Sequence, residues 1–189
     1  MTKLDLANFA LSPNAPPSQV PPWVISDMLL MASRTPAGCF VEVGVFQGGT
    51  AWYLGHLANE QARQIFLYDT FEGIPHALPI DSHKVGDFSA CSLEKVIAEL
   101  PHISPNRIIK GLFPQSMKPM PAIAFAHVDC DQYQSVHETI EALSPLMVPG
   151  GVMWFDDAPC LPSAALAVQQ AFPGDRCQLS GSGKYFVRF

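Results

Sequence analysis

The order in which strand-like and helix-like segments follow one another constrains the fold of this chain most strongly. Short runs rich in β-branched and aromatic residues occur at 39–45, 64–69, 106–110, 122–129 and 151–156. Helical patterns lie between or after them, at about 49–62, 92–100, 132–144 and 162–172. Such alternation is typical of a parallel sheet with helices packed on its faces. We therefore predict an α/β fold, a three-layer sandwich around a mostly parallel sheet.

The C-terminal end of the chain has a different pattern. Two short strand-like runs, at 176–180 and 184–189, are separated by Gly181-Ser182-Gly183. A glycine-rich turn between two such runs indicates a hairpin. The sequence therefore predicts that the last strand is antiparallel to the rest of the sheet.

Prolines dominate the segment that precedes the first helix. They occur at Pro13, Pro16, Pro17, Pro21 and Pro22. Such a segment favours an extended arm. A helix is predicted over 23–33, with an apolar surface formed by Trp23, Met28, Leu30 and Met31. We divide the chain into an arm and helix at 1–37, acting as a lid or connector, and a main domain at 38–189.

Charge and cysteine content limit the partners and the location of the protein. The formal net charge is -6, with 11 basic and 17 acidic residues and no Lys/Arg cluster, which disfavours nucleic acid. No apolar stretch before the proline cluster is long enough for a signal sequence or a membrane span. Five single cysteines without C-x-x-C spacing predict reduced, buried thiols in a cytoplasmic protein. We expect a small molecule as partner, and homo-oligomerisation is compatible with the sequence.

A glycine-rich turn follows the first predicted strand. The segment Phe40-Val-Glu-Val-Gly-Val-Phe-Gln-Gly-Gly-Thr50 ends a buried strand and turns through two glycines into a helix. Glycines let the backbone approach a ligand, and the helix N-terminus offers free N–H groups. A dinucleotide-binding loop reads G-x-G-x-x-G, whereas this one reads E-x-G-x-x-x-G, so Glu42 can face an ammonium group. The turn therefore suits an amino-acid ligand better than a pyrophosphate.

A second acid, Asp69, ends the next predicted strand. This is the position where a carboxylate commonly accepts hydrogen bonds from ribose hydroxyls. Together with Glu42 it would bracket a nucleoside. The alternative interpretation is structural: Glu42 caps a helix and Asp69 starts a turn.

Four carboxylates follow the fourth and fifth predicted strands. They are Asp129, Asp131, Asp156 and Asp157. If the two strands are neighbours the carboxylates converge, and crowded acids raise one another's pKa values unless a cation compensates them. Oxygen ligands favour Mg²⁺ or a similar ion, whereas zinc is disfavoured because strand alternation would turn Cys130 to the opposite face. Alternatively, Asp131 caps the helix that begins near Gln132 and Asp157 caps the next turn.

Several ordered segments together resemble the macrocin O-methyltransferase family. They are Val41-Glu-Val-Gly-Val-Phe-Gln-Gly-Gly-Thr50, Asp69-Thr-Phe-Glu-Gly-Ile-Pro75, Gly86-Asp-Phe-Ser89, Val128-Asp-Cys-Asp-Gln-Tyr-Gln-Ser135 and Pro149-Gly-Gly-Val-Met-Trp-Phe-Asp-Asp157. The resemblance runs from about residue 38 to the C-terminus. It implies the seven-stranded, Rossmann-like class I methyltransferase fold and S-adenosylmethionine as cofactor. Relatives methylate sugar hydroxyls in macrolide and aminocoumarin antibiotic pathways.

The resemblance also implies roles for individual residues. Glu42 and Gly44 would contact the methionine moiety, Asp69 the ribose, and the Asp87-Phe88 loop the adenine. The full set of cofactor-binding candidates is Glu42, Gly44, Gly48, Thr50, Asp69, Phe71, Asp87 and Phe88. The metal ligands would be Asp129, Asp156 and Asp157, and the catalytic candidates are Asp131, as general base, and Asp129. Family members generally carry a longer N-terminal region, so the arm or a partner subunit would form the lid here.

These observations predict an S-adenosylmethionine-dependent, divalent-metal-assisted O-methyltransferase. Its acceptor would be a hydroxyl of a small molecule, a sugar or other vicinal diol of secondary metabolism. One alternative is an NAD(P)-dependent oxidoreductase, which the missing G-x-G disfavours. A second alternative is a non-catalytic cofactor-binding subunit, which the four carboxylates disfavour.

Overall fold

The structure is a computed structural model, and it describes residues 12–189. The predicted N-terminal arm is therefore described from residue 12 onward, and its first part lies outside the described residues. The five α-helices are α1 (Pro22–Ser33), α2 (Gly49–Glu60), α3 (Leu93–Glu99), α4 (Tyr133–Leu143) and α5 (Pro162–Ala171). The seven strands are β1 (Cys39–Val43), β2 (Ile65–Asp69), β3 (Ile108–Lys110), β4 (Ile123–Val128), β5 (Met147–Phe155), β6 (Cys177–Leu179) and β7 (Tyr185–Arg188).

The seven strands form one sheet in the order β3-β2-β1-β4-β5-β7-β6. Strands β1 to β5 pair in parallel, whereas β7 runs antiparallel to both β5 and β6. The predicted sandwich with its C-terminal hairpin is thereby confirmed. The strand order reverses between β1 and β4, and in open α/β sheets ligands bind at the carboxyl ends of the strands at such a point.

The central strands are buried on both faces, as expected for a parallel sheet covered by helices. Phe40, Phe125 and Trp154 point to one hydrophobic cluster, which includes the buried hydrophobic residues of α1 and α2. Val41 and Met153, next to them in sequence, point to a second cluster with α4 and α5. This alternation gives the three layers of the sandwich.

Helix α1 covers the sheet with a different face from the predicted one. Its buried residues are Val24, Ile25, Met28, Leu29 and Ala32. They follow a helical stripe, and Trp23 and Leu30 lie on the opposite side, 67% and 38% exposed. The prediction that Trp23 and Leu30 pack on the sheet was therefore wrong, because apolar residues occur on both sides of this helix.

Two further observations concern location. Within residues 12–189, no helix is both long enough and apolar enough to cross a membrane. All five cysteines are free, but only Cys39 is buried, and Cys160, in the segment between β5 and α5, is exposed. The expectation of uniformly buried thiols was therefore wrong.

Candidate functional site

A cleft opens at the carboxyl ends of β1 and β4. It holds about 1090 Å³ of empty space, part of it open to solvent. Its walls come from the arm at 17–20, the turn after β1, the end of β2, the segment at 111–113 and the acids after β4 and β5. The cleft therefore joins the two regions that the sequence singled out separately.

Gly44 stands where these two regions touch. Its φ is +94°, and a Cβ atom at this position would lie 1.6 Å from the carbonyl oxygen of Asp129. The backbone N–H of Asp129 donates to the carbonyl of Val43 at 2.9 Å. A residue without a side chain is therefore required for the ends of β1 and β4 to approach each other.

Glu42 lies beneath the cleft and not on its wall. It is fully buried and pairs in register with His127, whose Nδ1 is 3.1 Å from Glu42 Oε1. The same oxygen accepts a hydrogen bond from the hydroxyl of Thr50, in the first turn of α2. Among the described residues Glu42 Oε2 has no hydrogen-bond partner. Glu42 thus fixes the helix that follows the glycine turn through a side chain, not through a backbone N–H.

Asp69 lines the cleft, and backbone donors already hold its carboxylate. Oδ2 accepts hydrogen bonds from the N–H groups of Val45 and Phe46, both at 2.8 Å. Oδ1 accepts one from Phe71 at 2.7 Å. An ionised carboxylate has about four acceptor sites, so about one is left for a ligand hydroxyl. Asp69 therefore both shapes the turn and faces the cleft.

The predicted cofactor-binding residues divide into two groups. Those that line the cleft are Gly44, Thr50, Asp69 and Phe88. Those that do not are Glu42, Gly48, Phe71 and Asp87. Phe71 is buried in the core, and the Asp87 carboxylate accepts a hydrogen bond from the backbone of Lys84 at 2.8 Å. Gly48 is the N-cap residue of α2, in the left-handed conformation.

Two phenylalanines form an aromatic wall at the mouth of the cleft. Phe46 and Phe88 have ring centroids 5.6 Å apart in an edge-to-face arrangement. Both residues have positive φ values, 48° and 61°. Non-glycine residues in this conformation are strained and cluster at functional sites. The sequence motif included Phe88, but nothing in it indicated the pairing with Phe46.

Three of the four predicted acids converge beside the cleft. One carboxylate oxygen from each of Asp129, Asp156 and Asp157 lies within 4.8 Å of the others. This follows from the parallel pairing of β4 with β5, which brings Val128 opposite Phe155. Burial, and then the neighbouring carboxylates, raise the pKa values of Asp129 and Asp157 well above the ordinary range. Without a bound cation these acids therefore disfavour full ionisation.

A lysine that the sequence analysis missed lies against this group. Lys184 Nζ is 3.3 Å from Asp156 Oδ2 and donates a hydrogen bond to the backbone carbonyl of the same residue. Oδ1 of Asp156 is buried without a partner among the described residues. Lys184 directly precedes β7, so the antiparallel pairing of β7 with β5 is the signal that could have located it.

Asp131 adopts a strained conformation at the edge of the same cleft. Its φ is +59°, and its N–H donates to Asp157 Oδ2 at 2.7 Å. Burial, partly opposed by the hydrogen bond with Asp157, raises the pKa of Asp131 to about 6. Asp131 does not cap α4, because the backbone N–H of Tyr133 donates to Asp81 Oδ1 at 2.9 Å. The alternative that Asp131 is the capping residue was therefore wrong.

Cys130 is not on the opposite face from its acidic neighbours. Strand β4 ends at Val128, so strand alternation does not extend to Cys130. The residue lines the same cleft as Asp129 and Asp131, with Sγ 4.0 Å from the Thr139 hydroxyl. The acid group that could hold a metal nevertheless contains carboxylates alone.

The loop between β2 and α3, residues 70–92, folds over the acids and docks on the start of α4. Besides the Asp81 cap, His76 Nε2 lies 3.2 Å from the Ser135 hydroxyl, and the Gln132 amide donates to the His83 carbonyl at 3.1 Å. His83 Nε2 lies 3.5 Å from Asp131 Oδ1. The sequence analysis missed His83, since no local pattern marks it.

Comparison with known proteins identifies relatives of this chain. The macrocin-O-methyltransferase (TylF) family matches residues 30–175. A 4'-O-methyltransferase of Streptomyces olivaceus, named for 8-demethyl-8-(2,3-dimethoxy-alpha-L-rhamnosyl)-tetracenomycin-C, is 29% identical over 146 residues. That match covers 68% of this chain but only 55% of the relative, so the chain spans about half the length of this curated protein.

Solved structures share the fold. The O-methyltransferase NovP has a TM-score of 0.74 at 21% identity, over 87% of this chain and 78% of NovP. An O-methyltransferase from Bacillus cereus, solved in complex with S-adenosylhomocysteine (SAH), has a TM-score of 0.56 at 12% identity, over 97% and 87% of the two chains. The family match extends over most of the sequence, and the chain therefore belongs to the macrocin-O-methyltransferase (TylF) family.

Proposed function

We propose that this protein is an S-adenosylmethionine-dependent O-methyltransferase that acts on a hydroxyl of a small molecule. The observation that carries the proposal is that one and the same cleft joins the glycine turn to the acid group. The family membership, and the name of a relative that methylates a rhamnosyl group, support a sugar or other vicinal diol as acceptor. The acidic net charge agrees with a small-molecule acceptor, and the free cysteines agree with a cytoplasmic location.

The cofactor half of the cleft suits a nucleoside joined to an amino acid. The remaining acceptor site of Asp69 fits a ribose hydroxyl, and Phe46 and Phe88 offer an apolar wall for a base. Gly44 and Thr50 line the part of the cleft beside the turn, where the amino-acid moiety would lie. S-adenosylmethionine supplies a methyl group on a sulfonium, which an oxygen nucleophile can displace in line.

The acid half of the cleft suits a divalent cation. The unpartnered Oδ1 of Asp156 and the convergence of three carboxylates match the oxygen ligands that Mg²⁺ prefers. Asp129, Asp156 and Asp157 would hold the ion, which would orient an acceptor hydroxyl and lower its pKa. Lys184 would keep its contact with the other oxygen of Asp156.

The protein's own groups would complete the reaction. Asp131 would take the proton of the acceptor hydroxyl as general base, since its carboxylate lines the same cleft next to the three acids. Residues 17–20 of the arm form one wall of the cleft, and Ser18 and Pro17 pack against Gly49 at the start of α2. The arm would therefore act as a fixed part of the lid that excludes water.

A ligand panel tests the proposal. Purified protein should be stabilised against heat by SAH and not by NAD, because the turn lacks the G-x-G spacing. Mg²⁺ should raise the melting temperature of the wild type but not of Asp157→Asn. Asp175→Asn, which changes an exposed acid outside the cleft, should respond like the wild type. Stabilisation by NAD alone would replace the methyltransferase proposal with an oxidoreductase.

A further inference from the structure

We infer that His83 is a positioning residue that holds the carboxylate of Asp131 and links it to the loop over the cleft. The inference rests on the proposed function, in which Asp131 is the general base. It concerns a residue that belongs to none of the motifs for cofactor, metal or base.

The geometry around His83 is specific. Its Nε2 lies 3.5 Å from Asp131 Oδ1, and its Nδ1 lies 3.9 Å from Asp87 Oδ2. The ring packs edge-to-face on Phe88, with centroids 4.9 Å apart. His83 thus lies between two carboxylates, with the aromatic wall of the cleft behind it. The imidazole is about 30% exposed. Of its two acidic neighbours, the Asp131 side chain is the more buried, at 19% exposed against 46% for Asp87.

The other contacts of Asp131 lead to a proposed metal ligand. Its N–H donates to Asp157 Oδ2, and its carboxyl is hydrogen-bonded to the same residue. The His83 ring, from the loop between β2 and α3, contacts the carboxylate directly. Because a general base must lie within hydrogen-bond distance of the proton it takes, a rotated carboxylate loses activity without losing affinity for the cofactor.

The contact also has a consequence for the loop. The loop near His83 is already tied to α4 by two hydrogen bonds, from the Gln132 amide to the His83 carbonyl and from the Tyr133 N–H to the Asp81 carboxylate. The side chain of His83 adds a tie from the loop to the base itself. Release of the loop would therefore also remove this contact from the Asp131 carboxylate.

Three variants test this inference. His83→Ala removes the contact, whereas His83→Gln keeps an N–H donor that can reach the carboxylate. His137→Ala is the matched control, because His137 Nε2 also lies 3.5 Å from a carboxylate, that of Glu141, on the outer face of α4. SAH release is measured with methyl α-L-rhamnopyranoside as acceptor, SAH affinity by calorimetry, and amide exchange over residues 76–91 by mass spectrometry without ligands.

His83→Ala should lower kcat about tenfold or more, with SAH affinity and the acceptor KM changed less than twofold. His83→Gln should recover most of kcat, and His137→Ala should match the wild type. Amides at 76–91 should exchange faster in His83→Ala than in His83→Gln.

Two results would overturn the inference: unchanged exchange in His83→Ala, or faster exchange with wild-type kcat. A wild type that binds no SAH and transfers no methyl group would instead refute the proposed function. The exchange comparison would then still decide whether His83 holds the loop.

Discussion

Substitution of Gly44 by alanine should disrupt the protein more than the same change at two other glycines of similar backbone conformation. Gly44, Gly48 and Gly86 have φ values of +94°, +88° and +88°. The cost of placing a side chain in this conformation, about 1–2 kcal/mol, is therefore common to all three. Their surroundings differ: the new Cβ would lie 1.6 Å from the Asp129 carbonyl at Gly44, 3.4 Å from Leu100 at Gly48, and in open space at Gly86.

The difference in surroundings sets the expected magnitude. A Cβ and a carbonyl oxygen need a separation of roughly 3 Å or more, so Gly44→Ala must push the ends of β1 and β4 apart by over about 1 Å. Overpacking that moves only side chains costs about 1–3 kcal/mol. A displaced backbone in the middle of a sheet should cost at least the upper part of that range. We expect Gly44→Ala to lose roughly 3 kcal/mol more in free energy of unfolding than Gly48→Ala or Gly86→Ala.

Urea denaturation of the wild type and the three variants measures this difference. If Gly44→Ala does not fold, the two control variants still should, with midpoints close to each other. If it does fold, the shifted Asp129 should weaken stabilisation by Mg²⁺ as well. A Gly44→Ala variant within about 0.5 kcal/mol of Gly48→Ala would show that the two strand ends can separate freely, and the argument from close approach would be wrong.

Two further substitutions test the site and the pH dependence of stability. In Asp69→Asn an amide donor would face one of the backbone N–H groups from which the carboxylate now accepts a hydrogen bond. The substitution should therefore cost about 1–3 kcal/mol of stability and weaken SAH binding at least roughly tenfold. Unchanged calorimetric affinity and an unchanged urea midpoint would contradict this role. Burial, and then His56 stacked at 3.8 Å, lower the pKa of His102 to about 4. The unfolded chain thus binds more protons between pH 6.5 and about 4, and stability should fall as the pH falls through that range. Since His102 is only half-buried, we expect the wild type to lose about 1–2 kcal/mol in free energy of unfolding over this range, and His102→Gln to lose less. Urea denaturation from pH 7 to pH 4.5 measures both losses, and equal losses in the wild type and His102→Gln would contradict the prediction.

The sequence predicted the features that depend on local pattern. Alternating strands and helices indicate a parallel sheet, and the carboxyl ends of parallel strands share one edge, so the approach of Asp129 to Asp156 and Asp157 could be anticipated. The glycine turn before the C-terminus likewise predicted the hairpin. These inferences needed only the period of the pattern and the direction of the strands.

Features that depend on distant partners could not be predicted. Nothing near Glu42 indicates that Thr50 and His127 contact it below the cleft. Two of the three backbone donors of Asp69 belong to a turn 23 and 24 residues away, so they depend on the shape of that turn. The position of Lys184 depends on the register in which β7 pairs with β5. In α1 the apolar residues occur on both sides, so the buried face is decided by packing and not by the sequence pattern.

The cap of α4 comes from the loop over the cleft, and this has a consequence for ligand exchange. Asp81 satisfies the N–H of Tyr133, whereas Gln132, the N-cap residue, makes no side-chain cap. The loop therefore cannot leave the helix without uncapping it, at a cost of about 1 kcal/mol, or roughly a fivefold smaller open population. Opening of the cleft and fraying of the first turn of α4 are thermodynamically linked. The stability of the first turn of α4 thus helps to set how often the cleft admits a ligand.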